Sequence, residues 1–336
     1  MLNQSPHHPD NKMPLIGLLV LNRDGRQWLT SVFPSLRQQD YPNKRIYLID
    51  NGSQDDSLDL TMGHYPEVTI IRIPTNLGYA MAYNLAMPIA FADGCQWVIW
   101  ANNDIRLEPE CLKELSLAAQ SSLNIGVIGP AFLSWDRNEP NAYMLGNHPY
   151  AIQGMKERTP GFLEVEWVEG SCLMVSRPCA EAVGPIDPFL YFYWEEADFC
   201  RRARLQGWRV VLAHRALARH YAGGYKEGNH KAHNEAYYLQ TRNFYIYKMA
   251  DPFRGFIMNG FSALHLFFVN LKQSSLRNPL DFLFHLWVFA KTLGEIRPIY
   301  QKWVRDRRGG HPPTMSSHLP PVTAEVILPR EPESPL

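Results

Sequence analysis

The apolar positions of this chain come in short, dense runs, and several end abruptly in asparagine, aspartate or glycine. Leu15 to Leu21 stops at Asn22-Arg23-Asp24-Gly25, Arg45 to Ile49 at Asp50-Asn51-Gly52-Ser53, and Gln96 to Ala101 at Asn102-Asn103-Asp104. Runs this short and this apolar predict strands buried on both faces. Between them, residues 27–38 carry Leu29, Val32, Phe33 and Leu36 at helical spacing, and Tyr41-Pro42 breaks that helix. Val68 to Ile73 predicts a third strand, and residues 76–90 open on a glycine-containing turn and become helical. Strand and helix alternating at short spacing predict a parallel α/β sheet with right-handed crossovers. In such a sheet the three polar strand ends share one edge, where open α/β folds bind ligands.

The middle of the chain is less regular. Gly126 to Phe132 and Cys172 to Val175 read as strands, and Asp136 to Thr159 as a loop or hairpin able to shape an acceptor pocket. Tyr191 to Cys200 is an aromatic ridge running into Glu195, Glu196 and Asp198. Acids there suit the positive end of a helix, and Arg201, Arg202 and Arg204 follow. Gly207 to Val211 returns as a strand, with His220 beyond it. Residues 256–270 and 279–290 are strongly apolar and aromatic, yet each falls short of the roughly 20 residues a membrane-spanning helix needs. Lys272, Arg277, Lys291, Arg297, Lys302, Arg305, Arg307 and Arg308 lie among and after them. Such helices either cap the preceding domain or another subunit, or lie in a membrane interface facing anionic headgroups. The expected organisation is an unstructured tail over 1–13, an α/β domain over 14–250, amphipathic helices over 251–308, and an unstructured Pro-rich tail over 309–336.

Composition narrows the classes. Lysines and arginines equal aspartates and glutamates at 33 each, so the formal net charge is zero and no global field favours nucleic acid. Five cysteines form no CxxC pair, which excludes a zinc knuckle and a disulfide framework. Residues 1–13 lack the basic-then-apolar pattern of a secretion signal, so the expected location is cytosolic, with 256–308 as the segment able to touch a membrane. Neither GxGxxG nor GxxxxGK[ST] follows the first strand, so a bound diphosphate would depend on a metal and side chains.

Asn102 and Asp104 make a candidate metal–diphosphate pair, because a carboxylate is a hard ligand for Mn²⁺ or Mg²⁺ and an amide can hold ribose or metal-bound water. The same residues also end strands simply as turn formers. Glu195, Glu196 and Asp198 are candidate general bases, since crowded carboxylates beside aromatic rings raise one another's pKa. Alternatively they pair with Arg201 and Arg202 on a solvated helix face. His220 could complete a metal site with Asp104 or be structural.

Taken in order, these segments resemble the family 2 nucleotide-sugar glycosyltransferases, nearest the rhamnosyltransferase-like branch. The matching pieces are the strand ending at Asn22, Gln39 to Pro42, Ile49 to Ser53, Asn76 to Ala80, Asn84, Asn102 to Asp104, Glu169-Gly170-Ser171, Asp187, Glu195 to Asp198, Gly207-Trp208 and His220. The resemblance implies a GT-A fold, a Rossmann-like mixed sheet with flanking helices, followed by a helical C-terminal region. It implies that Asp50 contacts the nucleobase, with Asn22 and Arg72 near the nucleotide, Asn76 and Gly78 shaping its turn, and Asn102 and Asn103 on the ribose–diphosphate side. Asp104 and His220 would hold Mn²⁺ or Mg²⁺, and Glu196 would be the base, with Glu195 and Asp198 as alternatives. The implied reaction is inverting transfer of a sugar, rhamnose in this branch, from a nucleoside-diphosphate-sugar to a glycan or lipid-linked acceptor. A UDP- or GDP-sugar transferase acting on protein, and a non-catalytic sugar-nucleotide or glycan-binding scaffold, are the competing readings.

Overall fold

The computed structural model describes residues 13–147, 151–153, 155, 161–221, 230–275, 279–312 and 323–329. Strand β1 (Ile16–Asn22) is flanked by β2 (Lys44–Asn51) and β4 (Trp97–Asn102), and β3 (Thr69–Ile73) lies outside β2, all parallel. This is the predicted parallel core. Beyond β4 the sheet becomes mixed. There β8 (Cys172–Ser176) runs antiparallel to both β4 and β6 (Ile125–Leu133), and β9 (Arg209–His220) is parallel to β6. The short β5 (Ile105–Leu107) and β7 (Leu163–Glu164) both pair antiparallel with β9.

Both faces of the sheet are covered, as the uninterrupted apolar runs require. Alternation along β1 sends Ile16, Leu18 and Val20 to one face and Leu19 to the other. The first face packs on α1 (Arg26–Arg37), through Leu29, Val32, Phe33 and Leu36, and on α4 (Cys111–Gln120), through Leu112 and Leu115. Helix α2 (Ser57–His64) borders the same side. The second face packs on α3 (Gly78–Ala92), whose Tyr83 and Ala86 meet Trp100 and Val98 of β4. Trp100 stacks on Tyr83 at 5.5 Å between ring centres and is fully buried. The segment expected as a loop or hairpin contains the short helix α5 (Ala142–Asn147); residues 148–150, 154 and 156–160 lie outside the described residues.

Helices α6 (Arg177–Val183) and α7 (Glu195–Leu205) complete the second face. Then α8 (His230–Met249), α9 (Phe256–Ser275), α10 (Pro279–Gly294) and α11 (Ile296–Arg307) form a separate apolar cluster around Tyr245, Ile246, Phe267, Val288, Phe289 and Ile299. No described helix is long and apolar enough to cross a membrane.

One expectation is corrected. Part of the tail beyond Gly309 is structured: β10 (Glu325–Ile327) adds antiparallel to β3. The edge of β3 offers unpaired backbone groups, and Val326 and Ile327 are β-formers able to take them. Composition marked the tail as polar and proline-rich but could not reveal an edge available to three of its residues.

Candidate active site at the polar strand ends

The strand ends meet as the register demands, with Asn22 paired to Asp50 and Asp50 to Arg72 across β1, β2 and β3. Asn22 is fully buried; its amide donates to Ser53 Oγ at 3.2 Å and its Oδ1 accepts from Asn103 Nδ2 at 2.7 Å. A Cβ on Gly25 would lie 2.0 Å from Asn103 Nδ2, so this brace requires glycine there. Asn22 and Asn103 thus shape the floor by bonding each other.

Asp50 is buried, and its Oδ1 has no hydrogen-bond partner. Burial raises its pKa, against the opposing hydrogen bonds of Ser53 and the charge of Arg72. An unsatisfied buried acceptor beside a sheet's ligand edge is free to accept from an N–H donor. Arg72 is about half exposed and forms a 3.8 Å ion pair with Glu325 on β10. The next turn is fastened by Asn51, a residue not singled out from the sequence. Its Nδ2 donates to Asn76 Oδ1 at 3.0 Å and its Oδ1 accepts from Leu77 N at 2.9 Å. Gly78 has φ +77°, and a Cβ there would lie 2.5 Å from the Tyr191 ring, so both backbone and space demand glycine.

Asp104 and His220 come together because β5 turns back from Asp104 and pairs Ile105 with His220. His220 Nε2 is 3.3 Å from Asp104 Oδ1, and its Nδ1 is 2.6 Å from Glu169 Oε1. Burial pulls the imidazole pKa down, but its hydrogen bonds to Asp104 and Glu169 push it up to about 10. A metal at Nε2 would displace the proton shared with Asp104, and a carboxylate behind the far nitrogen of a histidine is the usual support of a metal-binding imidazole. Among the described residues no three ligand side chains converge on one point. Asp104 and His220 would therefore supply two ligands, with diphosphate oxygens and water completing the sphere. That balance suits Mn²⁺ or Mg²⁺, which keep waters and bind substrate phosphates alongside one or two protein groups. Asn102 sits at the adjoining strand end, its backbone N–H donating to Ser171 O at 2.8 Å.

Glu169 was visible only as part of a motif; here it links the two halves of the site. Ser171 Oγ donates to its Oε1 at 2.8 Å. The neighbouring Gly170 lies against Glu196: a Cβ on it would be 3.1 Å from Glu196 Cδ. Glu196 is the second residue of α7 and is only partly buried. Its pKa is pushed up to about 7, first by desolvation and also by the charge of Glu169, against opposing backbone hydrogen bonds. Glu195 is buried behind it, with Oε2 unpartnered and its pKa raised by burial and by Glu196.

Asp198 departs from the expected group of candidate bases. It is fully buried and held by Arg201 at 2.9 Å, Arg202 at 3.0 Å and Lys302 at 2.7 Å. Burial alone would raise its pKa, but these three cations drive it far below the usual carboxylate range. It is a structural anion. The solvated helix face expected for Arg201 and Arg202 is also absent, since both are 2% exposed.

The loop before α7 is strained. Tyr191, Tyr193 and Trp194 have φ of +59°, +71° and +71°, sparsely populated for side chains of this size. Asn243 of α8 holds the bend, its Nδ2 donating to the carbonyls of Leu190, Phe192 and Tyr193.

A mixed sheet with an orphaned acid at one strand end, a carboxylate–imidazole pair at another and a raised carboxyl between them is the arrangement expected of a GT-A nucleotide-sugar site. More particularly, the chain carries a family 2 glycosyltransferase domain, residues 16–179 matching the family model described as Glycosyl transferase family 2. It is 28% identical over 236 residues to the N-acetylglucosaminyl-diphospho-decaprenol L-rhamnosyltransferase of Mycobacterium tuberculosis, covering 62% of this chain and 76% of that protein. It is 25% identical over 193 residues to the dTDP-rhamnosyl transferase RfbF of Shigella flexneri, covering 55% and 60%. The fold is shared with the mannosyltransferase PcManGT of Pyrobaculum calidifontis, solved with GDP-Man and Mn²⁺, at TM-score 0.52 and 13% identity over 91% of this chain and 88% of that one.

Proposed function

We propose that this enzyme is an inverting transferase that moves a deoxyhexose such as rhamnose from a nucleoside-diphosphate-sugar to a hydroxyl of a glycan or lipid-linked acceptor. The observation that carries this reading is the Glu169-Gly170 segment, which sets Glu196 beside the Asp104–His220 pair. Rhamnosyl transfer draws support from the two curated relatives named for it.

In this reading Glu196 takes the proton from the acceptor hydroxyl, which attacks the anomeric carbon opposite the departing diphosphate. The C–O bond to the acceptor forms as the bond to the nucleoside diphosphate breaks. A carboxyl pushed up to about 7 is a stronger base than an ordinary glutamate and still about half ionised at neutral pH. Asp104 and His220 hold the cation, which when bound neutralises charge on the leaving diphosphate. Glu169 orients His220, Asp50 accepts from the nucleobase, and Arg72 lies beside it at the sheet edge.

The test is nucleoside-diphosphate release from dTDP-rhamnose, UDP-sugars and GDP-sugars with Mn²⁺ or Mg²⁺, using the protein and Asp104→Ala. Metal-dependent release from one donor, lost in the variant, establishes the reaction and names the nucleotide. Metal-dependent donor binding with no release, even with acceptor lipid present, would sink catalysis and leave a binding scaffold.

The acceptor side of this reading includes a membrane surface. On α9, Ile257, Met258, Phe261, Leu264 and Phe268 recur at helical spacing and are exposed, Ile257 by 75%. On α10, Leu283, Leu286 and Trp287 do the same, and Lys291 lies 4.8 Å over the Trp287 ring. Arg254, Arg297, Arg307 and Arg308 are exposed nearby in the chain. Apolar helix faces among cations suit an anionic lipid interface. Co-sedimentation with anionic but not neutral vesicles, lost in Phe261→Glu/Leu286→Glu, is the expected result; equal binding by the variant would remove the membrane from the acceptor side.

A further inference from the structure

Beside the metal-binding pair a second concavity remains without a role. A cavity of about 540 Å³ opens between the end of α1, strand β5 and the loop after β6. Arg106 and Trp135 form one wall, and Gln38, Asp136 and Asn138 are among the polar groups around the rest. Arg106 is two residues past Asp104 on β5, roughly 7 Å along the strand, and pairs in register with Arg219, the neighbour of His220. The cavity therefore begins about one sugar ring away from the proposed metal position.

The wall is pre-arranged. The Arg106 guanidinium lies 4.0 Å over the Trp135 ring and donates to the Trp135 carbonyl at 2.9 Å. Arg219 is tied to Glu108 at 2.7 Å, to the carbonyls of Ser134 and Arg137, and to Asn138 Oδ1. Arg106 Nε is buried and has no hydrogen-bond partner. An aromatic path connects this wall to the catalytic side. Trp135 packs edge-on against Tyr221 at 5.7 Å, and Tyr221 packs on Trp28 at 4.6 Å. Tyr221 immediately follows His220 and donates its N–H to the Asp104 carbonyl at 3.0 Å.

Charge decides what this cavity suits. Arg106 and Arg219 are balanced by Glu108 and Asp136, so a phosphate would find no net positive field. A pyranose ring fits better: its C–H face packs on an aromatic side chain, and its hydroxyls both donate and accept. The lining offers acceptors and donors in mixture, as Asp136, Asn138, Gln38 and Arg106. We infer that the Arg106–Trp135 cavity is a carbohydrate subsite that holds a sugar unit of the acceptor, one or two units from the hydroxyl being glycosylated. This rests on the transferase reading for the word acceptor, but not for the binding of sugar.

The test separates the two. Binding of soluble rhamnose- and N-acetylglucosamine-containing disaccharides is followed by NMR line broadening of the sugar, with no donor present. Donor affinity with Mn²⁺ is measured on the same samples. Trp135→Ala should weaken disaccharide binding tenfold or more and leave donor affinity within twofold. The exposed variant Asp136→Ala, which leaves the Arg219–Asn138 hydrogen bond in place, should weaken it at least threefold. In turnover assays both should raise the acceptor KM with kcat unchanged. Disaccharide binding unaltered in both variants overturns the subsite, as does displacement of the sugar by inorganic pyrophosphate, which would mark an anion site. Loss of donor turnover with sugar binding intact would instead count against the transferase reading alone.

Discussion

At the residue scale the proposed reaction turns on one carboxyl held near neutrality. Glu196 is raised above an ordinary glutamate to about 7, so it is protonated and idle as a base below that pH. kcat/KM should therefore rise with pH through about 7 and level off above it. Glu196→Gln should lose roughly 10²- to 10⁴-fold and show no such limb. The stability sign is opposite. A raised folded-state pKa means that the native state binds the extra proton, so its stabilising effect fades as pH rises from about 4.5 through 7. Glu196→Gln should then melt higher than the parent at pH 8 and no higher at pH 4; equal melting curves at pH 8 would contradict the burial argument. Asp104→Ala should abolish metal-dependent turnover while leaving nucleoside affinity without metal nearly intact, because Asp50 lies two strands away. Asp50, Asp104 and Glu196 were legible in the sequence because each stands at the end or start of a strongly patterned element. Asp198 was not separable from Glu196, since two residues of one helix differ by about 200° in direction and only the fold decides which direction is core. Glu169 has no periodic signal at all; its role follows from a strand order that places β8 beside β4 and from His220 arriving from β9.

At the element scale, the parallel half of the sheet follows from alternating strands and helices, whereas the mixed half does not. Strands β8 and β6 read as apolar runs, but nothing local states that β8 reverses between β4 and β6. The loop 191–194 was read as an aromatic ridge; its left-handed backbone is imposed by Asn243, some fifty residues later. Removing that amide should release the bend. Asn243→Ala should cost about 1–3 kcal/mol of stability, the usual penalty for stripping partners from buried carbonyls, with a larger loss in kcat than in donor affinity. Urea denaturation and steady-state kinetics read the two effects. Asn243→Asp would test the same point from the other side, since a carboxylate cannot donate to three carbonyls. The tail strand is an element of a different kind. Its Glu325 pairs with Arg72 in water, so the ion pair itself contributes little, and β10 is held mainly by its ladder and by Ile327 on the core. Deleting residues 323–336 should leave the fold intact and change donor affinity only through the freed Arg72.

At the scale of the whole molecule, the question is whether the C-terminal helices are an appendage or part of the enzyme. Their apolar cluster is separate from the two that line the sheet. Leu190, Trp194 and the Asn243 hydrogen bonds join them to the loop before α7, and a buried charge cluster joins them to α7 itself. Lys302 of α11 is buried at 2% exposure and sits 2.9 Å from Asp187, 2.7 Å from Asp198 and 2.8 Å from Asp306. Arg305 reaches Asp187 and Asp306 as well. Asp198 belongs to α7, the helix that carries Glu196 in its first turn, so the cation from the far end of the chain fixes the orientation of the proposed base. Replacing this cation leaves three buried carboxylates with only Arg201, Arg202 and Arg305 to compensate them, a loss of up to about 3–5 kcal/mol. Lys302→Ala should therefore destabilise the catalytic domain itself, with a single unfolding transition shifted to lower urea and kcat reduced through α7. An independent helical appendage predicts something different: two transitions, with only the later-folding helices affected and turnover of soluble acceptors unchanged. The cluster of Asp187, Asp198 and Lys302 argues for the first outcome, because an appendage has no reason to supply the counter-ion for a helix that carries the proposed base.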